Sequence, residues 1–241
     1  GISAADKTYD GKETAQVDFS KAVLVGVLPG DDVKLDTSKA TGNFIDKNAG
    51  KDKEVVIGGL ALTGNHANKY EIKTIEPVLA SIAKANATIK ADNVSKTYGE
   101  IDPEFTYKAE GLLSGDALSG KLSREPGEDV GTYKITLGTL GNPNYNLTIN
   151  DAYLYINKRL VSVISAKIQD KYLGDLSAIK KAFNEAIVES INVVGILKQD
   201  DVALDDSKIV AYFEDTEIGI NKKVIIENLE LTGAQSQNYM I

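Results

Sequence analysis

Paired aspartates are the residues of this sequence whose chemistry is most suggestive. They stand at Asp31-Asp32 and again at Asp200-Asp201, with Asp205-Asp206 close behind the second pair. Carboxylate oxygens are the ligands that Ca²⁺ prefers, but a calcium site needs about six to eight oxygens that converge on one point. No D-x-D-x-D-G loop is present, and paired aspartates in turns commonly accept hydrogen bonds from the backbone. We therefore favour a structural role for these turns and predict no metal site.

The chain lacks the side chains on which most catalytic sites are built. Its 241 residues include no Cys, no Trp and a single His, His66. A thiol nucleophile, a disulfide or a zinc–thiolate site is impossible without Cys. We expect His66, which lies between Asn65 and Asn68, to be a solvated loop residue. Because no nucleophile has a recognisable general base, the sequence predicts a protein that is not an enzyme and uses no cofactor.

The charge balance also excludes classes of partner. There are 27 Lys and Arg residues against 35 Asp and Glu residues, which gives a net charge of −8, and only Arg124 and Arg159 are arginines. An acidic, arginine-poor surface matches the phosphates of nucleic acid poorly. The apolar runs are shorter than the ~20 residues that a membrane helix needs. We expect a monomer that binds no nucleic acid and that does not insert into a membrane through these residues.

The sequence repeats itself at an offset of 169 residues. When Val25–Ile72 is set against Val194–Ile241 without a gap, 22 of the 48 positions are identical. A more distant third copy lies between them, since the string from Gly26 to Asp31 is matched by the string from Gly111 to Asp116. Self-similarity of this kind indicates an array of like modules. We predict three modules and name them module 1 (1–83), module 2 (84–157) and module 3 (158–241).

Two further elements recur once in each module. A tyrosine close to a glycine stands near the start, and we call it the tyrosine corner; a second tyrosine closes the shared pattern. The corner tyrosines are Tyr9, Tyr98 and Tyr172, and the closing tyrosines are Tyr70, Tyr145 and Tyr239. A buried tyrosine usually needs a partner for its hydroxyl. We expect each corner tyrosine to pack against its own module and to donate a hydrogen bond, rather than to stack on a sugar.

The hydrophobic pattern predicts a mainly β fold. Period-two alternation over 133–137 and 153–156 indicates half-buried strands. The β-branched runs Val23–Leu28 and Ile191–Leu197 indicate buried strands. Apolar residues at helical spacing over 176–187, with Asp175 as the N-cap, predict one short helix in module 3, with a longer loop as the alternative. We favour three small β-grasp-like modules in series, with an immunoglobulin-like sandwich as the alternative.

The repeated strings resemble two families of bacterial surface repeats. Modules 1 and 3 are similar to YDG-type repeats, through the string from Ile2 to Gly11 and the string Leu28-Pro29-Gly30-Asp31-Asp32-Val33; in module 3, Leu173 replaces the motif aspartate. Module 2 resembles the MBG-type repeat through Lys96-Thr97-Tyr98-Gly99-Glu100, the string from Gly111 to Asp116 and Asn144-Tyr145-Asn146-Leu147. From the comparison with these families we expect module 1 to lack much of its first strand and module 3 to lack its last strand, which would leave unpaired strand edges there.

The resemblance implies a role outside the cell. It suggests a non-catalytic spacer region of a bacterial cell-surface or secreted adhesin-like protein, built as a stalk of tandem modules. The alternative is a ligand-binding module that recognises a host glycan or an extracellular protein. Only short junctions separate the modules, with no linker rich in Gly, Ser or Pro, and short junctions limit bending. This favours the spacer, and no binding or catalytic residue is assigned.

Overall fold

The computed structural model of the protein describes residues 1–73, 76–172 and 184–241. These residues are mainly β, as the sequence predicts. Most of the predicted helix over 176–187 lies outside the described residues. Its last part, 184–187, forms a turn and an isolated bridge between Glu185 and Tyr212. Among the residues described, no helix is long and apolar enough to cross a membrane.

The chain divides into two compact units. Unit 1 contains residues 1–91, 106–123 and 136–151, and unit 2 contains residues 92–105, 124–135 and 152–241. Each unit therefore combines one outer module with part of module 2. The chain passes between the units five times, and every passage falls within module 2. Both of the predicted module junctions, in contrast, lie inside a unit.

Unit 1 is built on a five-stranded sheet. Its strand order is β2-β9-β7-β6-β3, and all its pairs are antiparallel except β2 with β9. Period-two burial in β6 and β9 places Phe44, Ala80 and Ile82 on the core face, as expected of a strand with one solvated side. The strands are β2 (Lys7–Thr8), β3 (Thr14–Ala15), β6 (Thr41–Phe44), β7 (Gly50–Gly58) and β9 (Val78–Ala83).

Three smaller sheets complete unit 1. The pairs β1–β4 and β5–β8 are antiparallel, and β10 lies between antiparallel β12 and parallel β15. A 3-10 helix spans Ala67–Lys69. The strands are β1 (Ser3–Ala4), β4 (Val17–Asp18), β5 (Lys34–Asp36), β8 (Ala61–Thr63), β10 (Ala85–Ala91), β12 (Tyr107–Glu110) and β15 (Tyr145–Ile149).

The described part of unit 2 contains one four-stranded sheet and four strand pairs. The sheet has the order β11-β16-β14-β13; its β11–β16 pair and the separate β17–β24 pair are parallel. The other pairs, β18–β19, β20–β23 and β21–β22, are antiparallel. Two 3-10 helices span Asp206–Lys208 and Ser236–Asn238. The strands are β11 (Val94–Thr97), β13 (Ser123–Arg124), β14 (Gly131–Thr136), β16 (Tyr153–Asn157), β17 (Arg159–Leu160), β18 (Ser162–Ile168), β19 (Val188–Val194), β20 (Ala203–Leu204), β21 (Val210–Phe213), β22 (Val224–Glu227), β23 (Leu231–Thr232) and β24 (Tyr239–Met240).

The backbone repeats at the same 169-residue offset as the sequence. Phe44 pairs with Val55 in module 1, and their counterparts Phe213 and Val224 pair in module 3. Left-handed residues also recur, because Asp52 (φ 48°) corresponds to Asn221 (φ 56°) and Gly59 (φ 75°) to Asn228 (φ 60°). Asparagine and aspartate tolerate this conformation better than other side chains do. The two outer modules therefore share one fold over the repeated segment.

The prediction of a buried strand over Val23–Leu28 is wrong. These residues form no strand, and Val23, Val25 and Leu28 are 76%, 92% and 65% exposed. The prediction of a buried strand over Ile191–Leu197 in module 3 is only partly right, because β19 ends at Val194, which is 46% exposed. That strand pairs with the seven-residue β18. In module 1 the first strand is only Ser3–Ala4, and it pairs with β4 instead. A β-branched run without a partner strand leaves its backbone groups to water, so it does not form a ladder.

Gly64 provides a test of this backbone. It has φ 112°, and a Cβ atom there would lie 2.4 Å from the carbonyl oxygen of Asp32. Gly26 is a matched control in the same unit, since it has φ 92° but nothing within 4 Å of a Cβ. We expect Gly26→Ala to cost about 1 kcal/mol of unfolding free energy and Gly64→Ala at least about 2 kcal/mol more. Urea unfolding followed by circular dichroism measures both, and equal losses would contradict the close approach.

Candidate functional site

The closing tyrosine of each module clamps a tight turn. In module 2 the Tyr145 hydroxyl donates to Asp116 Oδ2 at 2.6 Å and accepts the backbone N–H of Leu113 at 2.9 Å. The turn is closed by the Asp116 N–H, which donates to the Leu113 carbonyl oxygen at 3.1 Å. Gly115 has φ 94°, as the third position of a type II turn requires. One hydroxyl thus holds both ends of the turn.

The same clamp occurs in both outer modules. Tyr70 donates to Asp31 Oδ2 at 2.7 Å and accepts the Leu28 N–H at 3.1 Å. Tyr239 donates to Asp200 Oδ2 at 2.6 Å and accepts the Leu197 N–H at 3.1 Å. These groups are 39 and 42 residues apart in both modules. We call the leucine, the aspartate and the closing tyrosine of a module its turn clamp.

In unit 1, the turn clamp of module 2 receives the corner tyrosine of module 1. The Tyr9 hydroxyl lies 3.3 Å from Asp116 Oδ1, the oxygen that Tyr145 does not use. The rings of Tyr9 and Tyr145 meet edge to face, with centroids 5.5 Å apart and an interplanar angle of 77°. Gly11 completes the contact, because its Cβ position would lie 3.4 Å from Leu113 Cδ1. The modules are therefore joined at a carboxylate that two hydroxyls share.

In unit 2, the turn clamp of module 3 receives the corner tyrosine of module 2 in the same way. The Asp200 carboxylate is close enough to Tyr98 to raise its pKa, and the Tyr98 ring meets that of Tyr239 with centroids 5.5 Å apart and an interplanar angle of 73°. Gly99 lies against Leu197 so closely that a Cβ atom would be 2.4 Å from Leu197 Cδ1. Tyr98 and Tyr239 are 8% and 2% exposed. Two copies of one junction thus occur in this chain.

Buried asparagines support both junctions. Asn144, next to Tyr145, accepts the Ala49 N–H at 2.9 Å and donates to Asn48 Oδ1 at 3.1 Å. Asn238, next to Tyr239, accepts the Val130 N–H at 2.8 Å and donates to Asp129 Oδ1 at 2.7 Å, and it is fully buried. A buried amide must be satisfied, which fixes the register of the two modules. The buried asparagine of module 2 thus binds the loop Asn48-Ala49 of module 1, and the buried asparagine of module 3 binds the loop Asp129-Val130 of module 2.

Burial and the shared carboxylate keep the tyrosines neutral. Burial, followed by the hydrogen bond to Asp200, raises the pKa of Tyr98 to about 12. Burial and Asp116 likewise raise the pKa of Tyr9 and of Tyr145. A tyrosinate beside a carboxylate in a desolvated site would be strongly disfavoured. The hydroxyls of these tyrosines therefore stay protonated and remain hydrogen-bond donors at neutral pH.

The prediction that the corner tyrosines pack against their own modules is confirmed for Tyr9 and Tyr98, each of which lies in a hydrophobic cluster with residues of its own module. The carboxylate that the hydroxyl meets was not predicted, because Asp116 lies in the module that follows Tyr9. Tyr172, the third corner, is 73% exposed. Residues 102 to 107 positions apart meet only once the strands on both sides are placed, so spacing alone gave no signal. The recurrence of the turn and of the Asn-Tyr pair was the clue available.

The acidic turns and His66 take structural roles. Asp31 and Asp200 belong to turn clamps. Asp32 accepts a backbone N–H from the 64–66 loop, and Asp201 accepts one from the 233–235 loop. His66 is about one-third exposed, and its Nδ1 accepts the Asp32 N–H at 2.9 Å. Within the described ranges, no group of three or more His, Asp or Glu side chains is placed to hold a metal ion.

An ion network that the sequence analysis missed lies in unit 2. Lys96 Nζ, with only 3% of the side chain exposed, lies 2.7 Å from Asp102 and 2.6 Å from Glu128. Arg124 contacts the same two carboxylates at 2.8 and 2.5 Å and stacks over the Tyr133 ring at 5.2 Å. Hydrogen bonds from Arg124 and Lys96 lower the pKa of Asp102 and Glu128. Burial alone would lower the pKa of Lys96, but both carboxylates outweigh it and raise the pKa.

Both arginines of the chain are thus held by the protein itself. Arg159 donates from Nε to the Gly195 carbonyl oxygen at 2.8 Å and from Nη1 to the Tyr98 carbonyl oxygen at 3.4 Å. Arg124 is held by the network, with 8% of its side chain exposed. Guanidinium groups engaged in this way are not presented to an anionic ligand. In the described residues, both guanidinium groups therefore hold parts of unit 2 in place.

Tyr98 tests the junction by its response to alkali. Because its folded pKa is about 12 and the unfolded value is 10.0, its contribution to stability is complete below pH 10 and is lost as the pH rises towards 12. We expect Tyr98→Phe to cost about 1 kcal/mol at pH 7 and to reduce the loss of stability between pH 10 and 12. Tyr155→Phe, at a 38% exposed position in the same unit, is the control. If the parent chain, Tyr98→Phe and Tyr155→Phe lost the same unfolding free energy between pH 10 and 12, this account would be contradicted.

The ion network predicts an acid response in unit 2. Asp102 and Glu128 have lowered folded pKa values, so their contribution is complete above the ordinary values of 3.8 and 4.5 and is lost as the pH falls through the folded values. We expect Asp102→Asn to cost about 2 kcal/mol at pH 7, below the ~3–5 kcal/mol of a fully buried pair because Asp102 is partly exposed.

The matched control for that acid test is Glu104→Gln, which changes an exposed acid of the same unit. Urea unfolding at pH 7 and at pH 3 measures each protein. Asp102→Asn should flatten the difference between the two pH values, and Glu104→Gln should leave it unchanged. A pH dependence in Asp102→Asn that equals that of the parent chain would show that the network contributes nothing.

Comparison with protein families gives an arrangement that matches the repeats. The family model of the YDG domain matches residues 1–77 and 180–241, and that of the MBG domain (YGX type) matches residues 87–155. No curated protein matches the chain. The two YDG segments together cover 139 of the 241 residues, and they include the turn clamps of modules 1 and 3. The chain belongs to the YDG domain family and carries an MBG domain between its two YDG segments.

Proposed function

We propose that this chain is a non-catalytic spacer region of a bacterial cell-surface or secreted adhesin-like protein. The YDG and MBG domains point to a repeat-containing, surface-associated protein. The observation that carries the proposal is the build of the junctions. Only Lys84 separates β9 from β10, and only Lys158 separates β16 from β17. A flexible linker has no room at either place.

Side-chain contacts strengthen each junction, as a spacer requires. At each junction the corner tyrosine of one module packs on the turn clamp of the following module, and a buried asparagine of the following module binds a loop of the first. These contacts hold two modules together through side chains far apart in sequence, so bending at the junction must break several interactions at once. A spacer needs this resistance, whereas a chain of independent modules on Gly/Ser linkers would coil.

Single-molecule FRET within unit 1 measures the stiffness of the first junction. The absence of native cysteine allows dyes to be placed at Lys51→Cys in module 1 and Lys108→Cys in module 2, both exposed positions. The flexible reference carries Gly-Ser-Gly-Ser after Lys84 together with Tyr9→Ser. The control carries the same insertion between Ile72 and Lys73, which leaves β9 and the junction unchanged. We expect one narrow population for the parent chain and for the control, and a broad one for the reference.

A parent chain as broad as the flexible reference would overturn the spacer proposal. A second measurement addresses the alternative function directly. The full chain is applied to an array of glycans and extracellular matrix proteins. The spacer predicts no saturable binding, and reproducible saturable binding would favour the ligand-binding module instead.

A further inference from the structure

Among the described residues, no corner tyrosine covers the turn clamp of module 1, whereas one covers each of the other two clamps. Leu28 is 65% exposed, whereas Leu197 packs in the core of unit 2 and Leu113 is 37% exposed. Asp31 Oδ2 accepts the Tyr70 hydroxyl, but in the described residues no hydroxyl reaches Asp31 Oδ1, whose nearest recorded neighbour is His66 Nδ1 at 3.4 Å. The corresponding oxygen of Asp116 receives Tyr9. The clamp of module 1 is thus formed, and none of the residues that the structure describes supplies a corner to it.

Module 3 presents the complementary feature. Its corner tyrosine, Tyr172, is 73% exposed, while Tyr9 and Tyr98 are 4% and 8% exposed on their clamps. The module 3 loop that corresponds to Asn48-Ala49 is Glu217-Ile218, and Ile218 is 80% exposed. Loop geometry is shared, since the Asn48 and Glu217 N–H groups each donate at 2.7 Å to the aspartate two residues before. Module 3 therefore offers a corner and a loop of the kind that modules 1 and 2 use.

The charges of these two surfaces also complement each other. At the two formed junctions an asparagine faces Asn48 or Asp129. The module 1 counterpart of Asn238 is Lys69, and the module 3 counterpart of Asn48 is Glu217, by the 169-residue offset. A clamp of module 1 seated on module 3 of another molecule would therefore place a lysine opposite a glutamate. Because opposite charges attract, the lysine and the glutamate favour binding of module 1 to module 3 over binding between two copies of the same module.

We propose that the module 1 clamp binds module 3 of a second copy of this chain, head to tail. Tyr172 of one copy would take the place on Leu28, Asp31 and Tyr70 that Tyr9 and Tyr98 take within the chain, and Glu217 would face Lys69. The interface is heterologous, so it repeats from copy to copy instead of closing into a dimer. The proposal concerns contact between copies and stands independently of stiffness within one chain.

Two variants that each disable one end test the inference. Leu28→Asp places a charge on the clamp and leaves the tail surface intact, and Tyr172→Ala removes the corner and leaves the clamp intact. Sedimentation velocity is run between about 10 μM and 1 mM in about 0.15 M salt, which screens the repulsion between acidic copies. The parent chain should gain mass with concentration, each variant alone should stay monomeric, and their equimolar mixture should form a dimer that grows no further.

Charge exchange provides the specificity control. Lys69→Glu and Glu217→Lys should each weaken parent-chain association at least about tenfold, and the double variant should restore it, because the pair is re-formed with reversed sign. A parent chain that stays monomeric at 1 mM, or a mixture of the end-disabled variants that gives no dimer, would overturn the proposal. Association that persists in both end-disabled variants would also overturn it and would indicate pairing of exposed strand edges.

Discussion

A carboxylate that serves two tyrosine hydroxyls is the interaction on which each unit depends. Asp116 binds Tyr145 of its own module and Tyr9 of the preceding one, and each tyrosine uses a different oxygen. The first bond fixes the turn, and the second joins the modules. Because the carboxylate has two oxygens, one residue can complete the fold of a module and its docking. In unit 2, Asp200 binds Tyr239 of its own module and lies close enough to Tyr98 of the preceding module to raise the pKa of Tyr98.

This arrangement explains why the compact units differ from the sequence repeats. Each junction buries aromatic rings and a satisfied asparagine, so the strands on its two sides belong to one body. Module 2 supplies β10, β12 and β15 to unit 1, and it supplies β11 and β16 to unit 2. The sequence repeat shows which segment, the module, is repeated along the chain. The compact units instead show where apolar surface is buried, and here it is buried at the contact between neighbouring modules.

Much of this architecture could be predicted from the sequence, for identifiable reasons. The mainly β fold follows from period-two patterns such as β16, where Leu154 and Ile156 are buried and Tyr155 is 38% exposed. The YDG–MBG–YDG order follows from short motifs and from the 169-residue repeat. The junctions could not be predicted, because Tyr9 and Asp116 meet through strands whose pairing the sequence does not state. Val23–Leu28 has a strand pattern, but a strand also needs a partner, which pattern alone cannot supply.

The central claim is that a corner tyrosine and a closing tyrosine of neighbouring modules stabilise each other. A double-mutant cycle on Tyr9→Leu and Tyr145→Leu tests it most directly, with unfolding free energies measured for the parent chain, both single variants and the double variant. The edge-to-face contact and the shared carboxylate predict a coupling energy of about 0.5–1.5 kcal/mol. A coupling energy of zero within error would show that the two tyrosines act independently, and the junction described here would not hold the modules together.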